Sequence, residues 1–353
     1  NYKPDLILLD MSPTKLLENC CKIRQHFIAN ELPIITLTND NQTTILSEVF
    51  EAGANDYLIK PISRYELVTR IEVQLNLSKQ FKSLNRFVSP QILPLLQKKD
   101  FNEVVLGDQV CAEMSILCNR IRDFNVLSQD MTAQSSLKFI NSYLKRMVPV
   151  VNRHNGVLNR YIGNTLMALF DDDGADAALQ AGLNMLQELK RYNKHRARVG
   201  YTPIQISIAI DSDSLILGVV GRQQQMDLTV VSEVVNFTFQ IIDLADNYEV
   251  SLLITQNTYD KLLDVDKYCL RMIDGISVQK SSESINIYEV FDTDEPEDKE
   301  AKLATKEIFT NAVFLYEQNE YTQAKKLFDE CLQQNPSDTV VKTYIERWMA
   351  IQC

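Results

Sequence analysis

The 353 residues hold no apolar run near the ~18 that a membrane-crossing helix needs, so no membrane span is expected. Glycine and proline are scarce, 10 of each, which leaves little room for long disordered linkers. Positive charge is short as well: 36 Lys and Arg stand against 47 Asp and Glu, a net charge of −11. Phosphate backbones need clustered Lys and Arg, so nucleic acid is not expected as the main ligand. The cysteines, Cys20, Cys21, Cys111, Cys118, Cys269, Cys331 and Cys353, are odd in number and form no C-x-x-C pair with a His pair nearby. That pattern argues against zinc and leaves reduced thiols packed as small hydrophobes. The run Asp171-Asp172-Asp173-Gly174 lacks the later ligands of a calcium loop and reads as a solvated turn before a helix. Asn1 does not open a signal peptide. The length predicts two or three domains, and the composition, 45% hydrophobic and 24% charged, predicts a globular cytoplasmic chain.

Strand and helix patterns alternate over residues 5 to 71. Asp5–Leu9, Pro33–Leu37 and Asp56–Ile59 are apolar runs of the kind that parallel strands show when both faces are covered. A helix over Leu46–Ala52 stops at Gly53. After Pro61, Leu67, Val68, Ile71 and Leu75 recur at helical steps, followed by Leu77, Phe81 and Leu84, until Phe87-Val88-Ser89-Pro90 breaks the helix. A helix this long is expected to join two domains or to pair with a copy of itself. Farther on, Ser115–Asn119 reads as a buried strand entering a turn at Ile121–Phe124. Leu137, Ile140, Leu144, Met147, Val148 and Val151 mark an amphipathic helix, and Ile204, Ile206, Ile208 and Ile210 a half-buried strand. Asp292–Glu300 reads as a solvated acidic linker. Beyond it, Tyr316, Tyr321, Ala324, Phe328 and Pro336 have the placement of a tetratricopeptide-type hairpin. One such hairpin cannot bury both faces alone, so it docks on its own chain or on a protein partner.

The segments "PDLILLD", "PIITLT" and "AGANDYLIKP" resemble the receiver domain of two-component response regulators. The resemblance implies that Asp10 is the phosphoacceptor, that Thr38 is the hydroxyl following the phosphoryl group, and that Lys60 is the lysine paired with it. A carboxylate nucleophile beside an ammonium suits that chemistry. The loop "DMSPTKLLENC" is one residue shorter than usual and lacks the expected glycine. The first strand of such a domain, which carries the acidic Mg²⁺ pair, does not precede Asn1, so the natural chain is expected to begin earlier. Mg²⁺ at this site is expected only with that strand present. Two alternatives follow: Asp10 is phosphorylated by an upstream sensor kinase, or the receiver fold is kept as a dimerisation module.

From Phe87 to Phe291 the chain resembles the class III nucleotide cyclase domain. The segments are "RFVSPQILPLLQ", "SILCNRIRDFNVLSQ", "GVLNRYIGNTLMALF", "ILGVVGRQQQMDLTVVSEVVNFTFQIIDLA" and "INIYEVFD", in that order. The predicted architecture is therefore α/β: a partial, doubly wound receiver-like sheet, a cyclase-type α/β domain, and a short all-α hairpin. The predicted boundaries are 1–76, a helical linker 77–110, 111–292 and 301–353. By the resemblance, Arg120 and Asn164 occupy the two metal-binding aspartate positions. Arg160 and Thr229 occupy the base-reading pair. Asn236 keeps the ribose- and phosphate-orienting asparagine, and Gln240 replaces the transition-state arginine.

Replacing two aspartates with Arg and Asn turns a local charge of −2 into +1, which does not hold divalent metal. No cofactor is expected there. Loss of the arginine removes ~10³-fold or more of phosphoryl stabilisation. The first expectation is a signalling pseudocyclase, a homodimeric relay or scaffold assembled through the linker helix and the cyclase-like domain. The alternatives are cyclic AMP synthesis through a composite site with an intact cyclase, using Arg160, Thr229 and Asn236, and metal-free nucleotide binding at Arg120. Arg120 is otherwise expected to pair with Glu233 or another nearby acid.

Overall fold

A computed structural model describes residues 4–39, 43–85, 89–171, 174–277 and 284–352. The chain forms two compact units, Asn1–Pro90 and Gln91–Cys353. Among the described residues no helix is long and apolar enough to cross a membrane.

In the first unit, β1 (Ile7–Asp10), β2 (Ile34–Thr38) and β3 (Asp56–Ile59) form a parallel sheet in the order β1-β2-β3. Helices Pro13–Arg24, Thr43–Glu51 and Arg64–Leu84 alternate with the strands. The central strand is driest, with Ile34 and Ile35 fully buried, as a run covered on both faces requires. Arg24 ties the far ends of the loops. Its Nε donates to the Gly53 carbonyl at 2.7 Å, one Nη to the Leu32 carbonyl at 3.0 Å, and the other to Asn55 Oδ1 at 2.8 Å. Gly53 has φ +98°, and a Cβ there would lie 2.7 Å from Arg24 Cγ, so the helix stop needs glycine twice over. Ser63 caps the long helix by accepting from the Glu66 amide at 3.1 Å. That helix runs through the predicted boundary at 76/77 without a break. Residues 86–88, where the sequence predicts its end, lie outside the described residues.

The second unit is built on an eight-stranded sheet. Its strands are β4 (Gln109–Ile121), β5 (Val157–Ile162), β6 (Thr165–Phe170), β7 (Ile206–Arg222), β8 (Gln225–Val230), β9 (Leu252–Thr255), β10 (Leu270–Ser277) and β11 (Ser284–Val290). Their order is β10-β11-β9-β7-β4-β6-β5, with β8 paired to the distal half of β7. All pairs are antiparallel except β7 with β9. Alternation along β4 divides the core in two. Ile116 and Cys118 face the helix Glu233–Asn247, while Leu117 and Ile121 face the helices Ala133–Arg153 and Gly174–Arg198. Burial pushes the Cys118 thiol up to about 12, so it behaves as a hydrophobe.

Several local expectations change. The strand predicted over Ser115–Asn119 extends to Gln109–Ile121, because β7 continues to pair with it beyond the apolar stretch. The alternating isoleucines are not half-buried: Ser207 and Ala209 between them are also fully buried, since helices cover both faces. Leu137, predicted on the apolar face of its helix, is 62% exposed. The acidic linker is largely structured. A helix starts at Pro296, Asp292 accepts from the Cys269 amide at 2.9 Å, and Asp294 accepts from Lys302 at 2.6 Å.

The tail is three helices, Pro296–Glu317, Tyr321–Gln334 and Thr339–Gln352, rather than two. Its apolar face docks on its own domain. Phe309, Phe328 and Tyr344 pack with Ile241, Ala245 and Ile273 in one continuous core. Docking in cis is thus the outcome, and a protein partner held by that same face is not, because the face is already covered. Arg271, fully buried, takes Asp338 in a two-bond grip at 2.6 and 2.9 Å and Glu289 at 2.6 Å.

Candidate functional site

Parallel strands that end at the same edge bring their terminal residues together. In the first unit this places Asp10 at the end of β1, Thr38 at the end of β2 and Lys60 just past β3. The Lys60 ammonium donates to both carboxylate oxygens of Asp10 at 2.7 Å. The Lys60 amide bonds the Thr38 carbonyl at 2.8 Å, which ties the three positions into one edge. Asp10 remains 55% exposed at its side chain, so the carboxylate stays open to solvent.

In the second unit, five elements carry the positions singled out by sequence: the end of β4 (Arg120), the β5–β6 turn (Asn164), the β5 and β8 strands (Arg160, Thr229), and the helix Glu233–Asn247 (Asn236, Gln240). Ser232 starts that helix by accepting from the Val234 amide at 3.2 Å. The helix buries Val234, Thr238, Ile241, Ile242 and Ala245 and leaves Asn236, Gln240 and Asp243 exposed at steps of four and three.

Arg120 turns to this helix. One Nη bonds Asp246 at 3.1 Å and also pairs with Asp243. Asp246 is shared: Ser207 donates its hydroxyl to the other oxygen, and Arg122 Nε donates to Ser207 at 2.5 Å. Desolvation pulls the Arg122 guanidinium below its ordinary range, partly countered by the charge of Asp246. Arg120 moves the other way, because the hydrogen bonds and charges of Asp243 and Asp246 outweigh its desolvation. Asn164 donates its Nδ2 to the Ile121 carbonyl at 2.6 Å, and the Ile121 amide returns a bond to the Asn164 carbonyl at 3.2 Å. Both positions therefore work as donors, pinning the β5–β6 turn and the helix to the end of β4. An aspartate at 164 would set a carboxylate oxygen against that carbonyl.

Arg160 reaches across to β8, bonding Asp227 at 2.6 Å and the Leu228 carbonyl at 3.4 Å, and so lies on the strand that carries Thr229. Its hydrogen bonds go to the two residues before Thr229 and not to Thr229 itself. Among the described residues no three His, Cys, Asp or Glu side chains are grouped to hold a metal ion. Asp243, Asp246, Ser207 and Asp227 were not singled out from the sequence. Helical periodicity would have found Asp243, seven residues after Asn236, whereas the role of Ser207 exists only through the pairing of β7 with β4.

The family model for the adenylate and guanylate cyclase catalytic domain matches residues 107–290, and that for the response regulator receiver domain matches residues 1–72. An adenylate cyclase of Anabaena cylindrica is 30% identical over 231 residues, covering 64% of this chain and 46% of the relative. The terminal-differentiation-specific adenylate cyclase of Dictyostelium discoideum is 27% identical over 269 residues, covering 75% of this chain and 13% of its own length. The chain thus spans less than half the length of either relative. A bacterial light-regulated adenylyl cyclase structure superposes with a TM-score of 0.58 at 17% identity over 74% of this chain and 75% of that one, a likeness of fold alone.

Proposed function

The chain belongs to the adenylate and guanylate cyclase catalytic-domain family, with a response regulator receiver domain ahead of that domain, and from this we propose that it is a signalling pseudocyclase. The observation that carries the reading is the use made of Arg120 and Asn164. Both metal-binding positions are filled by hydrogen-bond donors whose bonds are spent inside the fold. These residues do not fit a divalent cation: a guanidinium and an amide nitrogen repel or ignore what two carboxylates would bind. Gln240 carries no charge to meet a transferring phosphoryl group. The domain then serves as a dimerisation or relay module.

Purified protein incubated with ATP or GTP and Mn²⁺ or Mg²⁺ is expected to give no cyclic nucleotide by mass spectrometry, with a competent cyclase as positive control. Turnover that disappears in Asn236→Ala would overturn the reading.

A second reading has one observation in its favour. Arg160 is held on the β8 strand beside Thr229, and Asn236 is exposed on its helix, so the base-reading half of a composite site is presentable. Adding an intact cyclase tests it: product above that of the partner alone, lost in Arg160→Ala, would establish a contribution. Metal-free capture of phosphates by Arg120 is less favoured, because two carboxylates already take its charge.

For the input, Asp10 is the proposed phosphoacceptor, with Lys60 in contact to neutralise the phosphoryl group. Exposure to a small phosphodonor is expected to add one phosphoryl mass that Asp10→Asn abolishes; an unchanged mass would leave a dimerisation role. The helix Arg64–Leu84 exposes Val73, Leu77 and Leu84 along its length, a stripe suited to pairing with a second copy. Sedimentation of Leu77→Glu tests this, an unchanged oligomeric state counting against it.

A further inference from the structure

The sheet face opposite the helix Glu233–Asn247 carries a cavity of about 580 Å³ between the helices Ala133–Arg153 and Gly174–Arg198. Its charge is one-sided. Lys138, Arg146 and Arg196 line it, with Asp130 as the one carboxylate. Arg196 is only 6% exposed. Its Nε donates to the Thr202 carbonyl at 2.8 Å, and its guanidinium lies over the rings of Phe139, Tyr192 and Tyr201 at 5.0, 5.6 and 5.4 Å. Among the described residues no carboxylate pairs with Arg196 or Arg146. Among the described residues the Arg196 Nη atoms have no hydrogen-bond partner, and they are not sealed from solvent, so they open to the cavity.

Aromatic faces offset part of the cost of a buried cation, but they leave its N–H groups unbonded. A second cation adds to the difficulty. Arg146 stacks on the same Tyr192 ring at 4.1 Å, so two like charges are neighbours with no anion between them. Arg146 spends one Nη on the Ser142 carbonyl at 2.6 Å and the Ser142 hydroxyl at 2.9 Å. The positive end of the 21-residue helix Ala133–Arg153 also reaches the cavity, where Thr132 and Ser135 line the wall. A solvated groove with structural arginines would place a carboxylate here, as Arg120 and Arg271 have elsewhere in this domain.

We infer that this cavity binds a small phosphorylated molecule, its phosphate held by Arg146, Arg196 and Lys138 and its planar part lying on Tyr201. A dianionic phosphate matches several converging cations better than a single carboxylate does. The volume exceeds that of the phosphate group, and the aromatic wall gives the remainder a surface to stack on.

Isothermal titration of the full chain with AMP and with phenyl phosphate is expected to give dissociation constants below about 1 mM. Adenosine, which keeps a ring and lacks the phosphate, is expected not to bind. Arg146→Gln and Lys138→Gln each weaken the phosphate probes by about 10-fold or more, the loss of one charge-assisted bond. Arg196→Met weakens them further; circular dichroism checks its fold, and the first two variants carry the test if it unfolds. Asn236→Ala, on the other face of the sheet, leaves both constants unchanged, which separates this cavity from nucleotide capture at the cyclase-type site. Failure of both phosphate probes to bind, or binding that Arg146→Gln and Lys138→Gln leave untouched, would overturn the inference. Adenosine binding as tightly as AMP would overturn the phosphate assignment.

Discussion

Asp338→Ala is expected to destabilise the second unit by about 3–5 kcal/mol, the cost of stranding a buried charge, and to release the three-helix tail from the sheet. Arg271 and Asp338 are 0% and 1% exposed at their side chains, so no water replaces the lost carboxylate. Glu289 remains beside Arg271 at 2.6 Å, but Lys302 draws on it too, also at 2.6 Å. Asp338 has a second task. It accepts from the Val340 and Val341 amides at 3.2 and 3.3 Å and so caps the last helix, which the alanine also loses. Burial raises the Asp338 carboxyl, yet the hydrogen bonds and charge of Arg271 prevail and hold it below its ordinary value of 3.8. A depressed carboxylate contributes stability that is full above its unfolded value and is lost as pH falls through the folded one. Tail docking should therefore weaken in acid below about pH 4, and Asp338→Ala should remove that part of the slope. Hydrogen exchange over 296–352 and limited proteolysis measure the release. A change below about 1 kcal/mol, with the tail still protected, would show that the apolar contacts of Phe309 and Tyr344 suffice.

Asp246→Ala should cost about 2–4 kcal/mol, whereas Asp243→Ala should cost under about 1 kcal/mol, although both acids pair with Arg120. The difference lies in burial and in what else each carboxylate holds. Asp243 is 63% exposed at its side chain and Asp246 29%. Asp246 also accepts from Ser207 and lies 3.5 Å from Arg122, whose side chain is 9% exposed. Without Asp246, Arg122 keeps Ser207 and the Val250 carbonyl as neutral acceptors and has no carboxylate in contact. Chemical denaturation of the two variants compares them directly. Equal losses would mean that Arg120 alone anchors the helix Glu233–Asn247. On the proposed pseudocyclase reading, either variant also gives no cyclic product, since neither places a carboxylate at 120 or 164.

Much of the candidate site was legible in the sequence, and for a physical reason. Asp10, Thr38 and Lys60 are terminal residues of parallel strands, and parallel strands ending at one edge converge whatever the helices between them do. That a cation stands at position 120 needed only the residue's identity. The partners of Arg120 were another matter. Glu233 is nearer to Asn236 in sequence, but Asp243 and Asp246 lie toward the other end of the helix, where the end of β4 meets it. The direction in which that helix crosses the sheet decides the pairing, and no local pattern encodes it. The same applies to the isoleucines of β7. Alternation shows which residues share a face, whereas burial of Ser207 and Ala209 depends on a second layer supplied by distant segments.

The sequence by itself determined the apolar runs and helical periodicities of the first unit, the two family resemblances, and the residue types at positions 120 and 164. These follow from short-range periodicity, turn chemistry and residue type, each readable within a few residues. Tertiary structure alone decided what Arg120 and Asn164 do. It turned Arg120 onto Asp246, set Asn164 on the Ile121 carbonyl, and folded an acidic segment and three helices back onto the sheet around Arg271. It also brought Arg146 from a neighbouring helix onto the Tyr192 ring. Those contacts join residues some 40 to 130 positions apart, and their energies depend on desolvation, which exists only once the layers have closed.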